Sequence, residues 1–169
     1  MTRLTLVRQP KKRAAIGQPL WPDAVEADLS DLVRLHLSFL PWCRFWINKE
    51  RFMSRGDGTS AFVPGLAEGS GDLVGLVQRP IIALHEDRVM LRKNVGIFTS
   101  IELKHPTRSR TPSSEQLEWM GLINRLDGVA GWTRTLFGAF EIVSRARGCT
   151  IFAITDEIQA ITGTEVVDS

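Results

Sequence analysis

The chain has 169 residues, 43% of them hydrophobic and 24% charged, which is the make-up of one globular domain large enough to bury a core. A net charge of +2 excludes a uniformly basic nucleic-acid binder, and no apolar run reaches the length of a membrane span. Yet 16 of the 21 basic residues are Arg, the side chain that grips phosphate with a planar fork, so a local basic face stays open.

Residues 1–22 carry Lys11-Lys12-Arg13 among Pro and Gly and read as a basic N-terminal arm, without the long apolar stretch of a signal peptide. Asp23 to about Leu40 reads as a helix. Asp23 caps it, Glu26 follows at capping-box spacing, and Val25, Leu29, Leu32, Val33, His36 and Leu40 share one stripe. A histidine on that stripe is a packed core residue rather than a ligand. Pro41 ends the helix. Residues 43–48 (CRFWIN) have the aromatic and β-branched content of a strand. Phe39, Trp42, Phe45 and Trp46 cluster at this junction. Most read as core, with a dimer surface or a strand-separating wedge as the alternative.

The Gly- and Ser-bearing stretch from Arg55 to Gly71 reads as a loop. Asp72 to Val77 is a second strand. Pro80 to Asn94 fits no element and stands as an excursion. Val95 to Lys104 (VGIFTSIELK) is the strongest strand of the chain. A polar, basic loop follows, then a helix from Ser113 to about Leu126 with Leu117, Met120 and Ile123 on one side, ended at Gly128. Val129 to Thr133 is a short strand, and Leu136 to Arg147 a helix ended by Gly148. The order is helix, three strands, helix, strand, helix, which predicts an α/β sandwich around a small mixed sheet, flanked by helices. The main domain is thus expected over 23–148, with 149–169 as a C-terminal extension that packs as a strand and helix or frays. Cys43 and Cys149 occur without Cys-x-x-Cys spacing, and the three histidines are scattered. Both cysteines therefore read as buried thiols in a reducing, cytoplasmic setting rather than as a zinc site or a disulfide.

The chemistry is concentrated in Ile101-Glu102-Leu103-Lys104. Alternation along a strand sends Ile101 and Leu103 into a core and projects Glu102 and Lys104 together on the other face. Asp72 opens its strand directly after Gly69-Ser70-Gly71, a place explained either by a turn or by a carboxylate reaching a neighbouring strand end. Two carboxylates and an ammonium on one face suit a divalent cation and an activated water, the arrangement for metal-assisted phosphodiester hydrolysis. His105, Arg108 and Arg110 then offer an approach for a polyanion. Ser113-x-x-Gln116 is itself a capping box, so Gln116 either closes the helix start or, if the helix begins at Thr111-Pro112, faces the site.

At these residues the chain resembles the PD-(D/E)xK nuclease superfamily, and within it the VRR-NUC domains common in phages. The likeness runs from roughly Asp28 to Arg147. It rests on Gly71-Asp72-Leu73-Val74-Gly75, then Ile97 to Lys104, then Ser114-Glu115-Gln116 and Gly128-Val129-Ala130-Gly131, in that order. The resemblance implies a restriction-endonuclease-like core of αβββαβ order in a bacterial or phage-infected cell. It implies that Asp72, Glu102 and the Leu103 carbonyl hold Mg²⁺ or Mn²⁺, that Lys104 positions the attacking water, and that Gln116 is the glutamine of the following helix. Asp28, or alternatively Glu26, matches an acid of the first helix. Asn48 is similar to an asparagine of the first strand, within an Arg-Asn-Asn pattern that is only partly present. With Lys49 and Arg51 beside it, and His105, Arg108 and Arg110 beyond the site, it completes the expected nucleic-acid contacts. The implied activity is a structure-specific endonuclease on branched DNA, similar to homodimeric Holliday-junction resolvases. A nicking or restriction-type enzyme, a single-strand nuclease and a non-catalytic DNA-binding module stay open beside it.

Overall fold

The computed structural model describes residues 26–48, 51–54, 60–63, 65–85, 88–108 and 110–163, with side chains described for 29–48, 65–82, 93–108 and 110–163. The elements in chain order are α1 (Glu26–Ser38), β1 (Cys43–Ile47), β2 (Arg51–Ser54), β3 (Ser60–Val63), β4 (Leu73–His85) and β5 (Arg88–Leu103). They continue with α2 (Ser114–Arg125), β6 (Val129–Thr133), α3 (Leu136–Arg147) and α4 (Ile151–Thr162). A four-stranded mixed sheet has the order β1-β4-β5-β6, antiparallel except for the parallel β5–β6 pair, and a separate ribbon joins β2 to β3. The molecule is therefore of the mixed α/β class, with helices on both faces of the sheet.

Strand alternation decides which helices go where. On one face Leu73, Val77, Ile101 and Leu103 are fully buried against Leu29, Val33 and Leu37 of α1, Phe140 and Val143 of α3, and Ile154 and Ile158 of α4. On the other face Ala130 and Phe98 meet Met120, Ile123 and Trp119 of α2 in a smaller cluster. His36 is buried on the large-core side as its stripe position predicts. Its Nδ1 lies 2.9 Å from the Leu32 carbonyl oxygen and its ring meets Phe140 edge-on at 6.0 Å. Burial pushes its pKa below the ordinary 6.5, against the backbone hydrogen bond that raises it.

Several expectations change. The stretch 80–94 is no excursion. β4 and β5 pair continuously out to His85 and Arg88, well past the ends of β1 and β6, with one register shift at Ala83/Leu84. Pro80 is tolerated there because β1 has already ended at its pairing with Val77, so no neighbour needs the missing N–H. The presumed loop 55–71 contains β3, which pairs back on β2. Segment 149–169 is not simply an appendage. Thr150 caps α4, Ile154 and Ile158 belong to the main core, and the Glu157 carboxylate accepts from Trp42 Nε1 at 2.8 and 3.0 Å. Of the aromatic cluster, Trp42, Phe39 and Phe45 join the core, while Trp46 is 55% exposed. Both cysteines carry free thiols. Cys43 is buried, which pushes its pKa up to about 12, and Cys149 is half-buried with its pKa also raised by burial. The arm 1–22 and the Asp23 cap lie outside the described residues. No helix among the described residues is long and apolar enough to cross a membrane.

Candidate active site

The site forms where β4 begins and β5 ends. Leu73 pairs with Ile101, so the next residues along the two strands, Asp72 and Glu102, face one another on the opposite side from those two core side chains. The same row extends outward in both directions. Asn48 precedes Asp72 from the end of β1, its N–H donating to the Asp72 carbonyl at 2.8 Å, and Trp132 of β6 is the parallel partner of Glu102. Asp72 also reaches across the strands. Its Oδ2 accepts the Leu103 N–H at 2.9 Å, standing where a further ladder carbonyl would otherwise be.

Close approach of these strand ends depends on the loop before β4. Gly71 sits so tightly against β5 that an added Cβ would lie 2.7 Å from Ser100 Oγ and 2.8 Å from the Ile101 carbonyl oxygen. Gly69 has φ +77° and abuts the start of α2, where a Cβ would lie 2.4 Å from the Glu115 backbone. Asn48 ties this loop down. Its Nδ2 donates to Ser70 Oγ (2.7 Å) and to the Gly71 carbonyl (3.0 Å), and its Oδ1 accepts from Leu66 N–H (3.0 Å). The amide thus holds the Gly-Ser-Gly turn at the edge of the row.

Glu102 is 5% exposed and carries its own counter-ion. Lys104 Nζ donates to Glu102 Oε1 at 2.7 Å and to Gln116 Oε1 at 2.8 Å, and Gln116 Nε2 donates back to Glu102 Oε1. The three side chains close a triangle. A buried carboxylate with both an ammonium and an amide on one oxygen is an oriented group, not a solvated surface charge. The two alternatives for Gln116 turn out to be compatible. Ser113 Oγ accepts Gln116 N–H and Gln116 Oε1 accepts Ser113 N–H, a complete capping box, while the same amide faces Glu102 and Lys104. Trp119 Nε1 donates to Ser100 Oγ at 2.9 Å and pins α2 over this end of β5.

The remaining expected residues divide. His105 is half-buried, and its Nδ1 accepts the Thr107 N–H at 3.2 Å within its own loop. Arg108 and Arg110 are exposed on that loop. Lys49 lies outside the described residues, as do the side chains of Arg51, Asp28 and Glu26. The reading from sequence missed Ser100, Trp119, Trp132 and Arg134. The signal for Trp132 was present, since Val129-Ala130-Gly131-Trp132-Thr133 alternates and puts Ala130 and Trp132 on one face.

Among the described residues no three His, Cys, Asp or Glu side chains gather into one metal-holding cluster. The row offers two carboxylates, both hard oxygen donors, and the Leu103 carbonyl that the resemblance adds is of the same kind. A carboxylate offers about four lone-pair sites, more than the Leu103 N–H takes from Asp72. That chemistry fits Mg²⁺, which takes one or two protein carboxylates and keeps several of its waters. No family model, curated protein or solved structure matches the chain, so the geometry of the row is what the site offers for interpretation.

Proposed function

We propose that this chain is a metal-dependent DNA endonuclease of the PD-(D/E)xK kind, with a VRR-NUC-like, restriction-endonuclease-like core, acting on branched DNA. The observation that carries the reading is the row at the end of β4 and β5. Asp72 and Glu102 stand opposite one another on one face, and Lys104 Nζ lies 2.7 Å from Glu102. Asp72, Glu102 and the Leu103 carbonyl would hold Mg²⁺ or Mn²⁺, which when bound polarises a phosphoryl oxygen and acidifies water. The chain's own groups supply the rest. Lys104, fixed between Glu102 and Gln116, presents an ammonium to the charge that grows on the phosphoryl oxygens and orients the attacking water by a hydrogen bond. Gln116 holds Lys104 and Glu102 in register through a backbone that is itself fixed by the capping box. The exposed Arg108 and Arg110 attract the phosphate backbone. A four-way junction has two-fold symmetry, so two symmetric nicks call for two copies of the chain about the same axis.

The test is cleavage of matched junction, flap, duplex and single-stranded DNA with Mg²⁺, Mn²⁺ or EDTA. Metal-dependent nicking of the junction that disappears in Asp72→Asn, Glu102→Gln and Lys104→Met supports the reading. Lys104→Arg should not restore it, because the planar fork does not fit the place of a compact ammonium. No cleavage of any substrate, or undiminished cleavage by Glu102→Gln, ends it. One observation favours a second reading. The Glu102–Lys104–Gln116 triangle is satisfied within itself, as a structural lock tying α2 to β5 would be, and a non-catalytic DNA-binding module would keep such a lock. In that case the variants lower the melting temperature and DNA is bound but never cut.

A further inference from the structure

Trp132 is the outermost member of the row that carries the two acids, and nothing in the proposed chemistry uses it. It is the direct ladder partner of Glu102 and lies on the same sheet face, yet it is 38% exposed where Glu102 is buried. An indole that is partly open offers a large, rigid apolar surface with a polar tip, the kind that serves in recognition. Its surroundings are cationic. The Arg134 guanidinium lies over the ring at 5.2 Å and donates through NH2 to the Arg110 carbonyl at 2.8 Å, which ties the basic loop to the end of β6. The Arg134 Nε is buried without a hydrogen-bond partner among the described residues, so the fork keeps a donor free for an acceptor brought to it. Aromatic face, guanidinium and the backbone of the basic loop at Arg110 thus meet at one edge of the acid row.

From this juxtaposition we infer that Trp132 and Arg134 form a platform for an unpaired nucleobase and its phosphate, one nucleotide away from the bond that Glu102 and Lys104 address. The inference rests on the nuclease reading for the second half of that sentence only. The physical reason for an unpaired base is direct. Inside a duplex both faces of every base are covered by neighbours, so an indole at the surface has no base face to meet. A base at a flap, a gap, a branch point or in a single strand has one, and the contact is tolerant of sequence because every base has a π face. The stacked guanidinium extends the same surface and neutralises the phosphate that follows. The platform therefore selects DNA that is unstacked at the cleavage position.

Two measurements on the full chain test this. The first needs no metal. A short single-stranded oligodeoxynucleotide carrying 2-aminopurine is titrated in EDTA and its fluorescence followed. Wild-type protein should bind it and change the probe's fluorescence. Trp132→Ala should weaken binding by about tenfold, the scale of one base–aromatic stack, whereas Trp132→Phe keeps most of it and the melting temperature of either variant stays near that of the wild type. The second compares cleavage of flap and gapped-junction DNA with fully paired duplex. Trp132→Ala should raise KM on the unpaired substrates by about the same factor and leave kcat and duplex cleavage nearly unchanged. Binding that is the same in wild type and Trp132→Ala, a Phe variant as weak as the Ala variant, or an equal loss on every substrate overturns the platform. Loss of the 2-aminopurine signal in Trp132→Ala without cleavage by wild type keeps the platform and sinks the nuclease reading instead.

Discussion

The two faces of the central sheet are made by the same few residues and do opposite work. Along β5, Ile101 and Leu103 disappear into a core shared by α1, α3 and α4, while Ser100 and Glu102, one step out of phase, meet Trp119 and Gln116 of α2 through hydrogen bonds, and Glu102 also pairs with Lys104 just beyond the strand. The apolar face is held by non-directional burial, so its residues need only fill volume. The polar face is directional. At its site end, beside the small apolar cluster around Met120 and Ile123, Asp72, Ser100, Glu102 and Lys104 each have a defined hydrogen-bond partner, and the loop that delivers Asp72 tolerates no Cβ at Gly71. Stability should therefore respond mainly to the first face and activity mainly to the second.

The largest separation is expected from isosteric changes on the polar face. Asp72→Asn and Glu102→Gln keep shape and most hydrogen bonds but remove a negative charge. Loss of transition-state stabilisation of roughly 4 kcal/mol corresponds to about a thousandfold in rate. The cost in folding stability should be smaller for Asp72→Asn than for Glu102→Gln, which leaves Lys104 without its counter-ion though still bonded to Gln116 and should cost about 1–3 kcal/mol. Cleavage assays read beside urea melts give both quantities. The melt matters most for Lys104→Met, which leaves the buried Glu102 without its counter-ion, so that a folding defect is told from a catalytic one. The reverse experiment is Phe140→Ala in α3, where the fully buried ring sits against the apolar face. It should cost about 3–5 kcal/mol of stability and leave the rate per folded molecule unchanged. A Phe140 variant that stays stable but loses its rate would abolish the division of labour.

How much of this was legible in the sequence follows from the same distinction. Alternation in residues 95–104 identified the central strand and assigned its two faces, and the Gly-Ser-Gly before Asp72 pointed to a carboxylate brought close to a neighbouring strand. Periodicity also found α1, α2, β6 and α3. The outer half of the β4–β5 ribbon was not legible, because strand patterns are recognised by one buried face. Ile81 and Ile82, adjacent and both exposed, show no such face. The β2–β3 ribbon was hidden by the Gly and Ser residues that also make turns. The loop-holding part of Asn48 was not legible either, because its partners Leu66, Ser70 and Gly71 lie 18 to 23 residues away in the chain. Gln116 was posed as a choice between two roles that the three-dimensional arrangement combines.

Gly71→Ala attacks the point at which the faces meet. The new Cβ would collide with Ser100 Oγ and the Ile101 carbonyl, and backbone cannot give way as a flexible side chain can. Overpacking of this kind costs about 1–3 kcal/mol. Because the displaced segment carries Asp72, activity should fall in the folded protein as well. A melt combined with single-turnover cleavage distinguishes this double effect from a purely structural one. Wild-type stability and rate in Gly71→Ala would show that the strand ends need not approach so closely.

The smallest effect belongs to the imidazole buried on the apolar side. His36 is 1% exposed, faces Phe140, and its Nε2 has no hydrogen-bond partner among the described residues. Desolvation lowers its pKa in the folded state below the 6.5 of an unperturbed imidazole. In the unfolded chain the ring takes its proton near 6.5, so between that value and the lower folded one the unfolded state binds more protons than the native state. Stability is accordingly full above pH 6.5, declines as pH falls through it, and stops declining once the folded ring also protonates. Urea melts of wild type and His36→Leu from pH 7.5 down to about pH 5 should diverge, the wild type losing stability faster towards acid. Parallel curves for the two proteins would mean that the imidazole is reached by solvent or by a proton partner in the native state, and that the apolar face is less dry than its burial indicates.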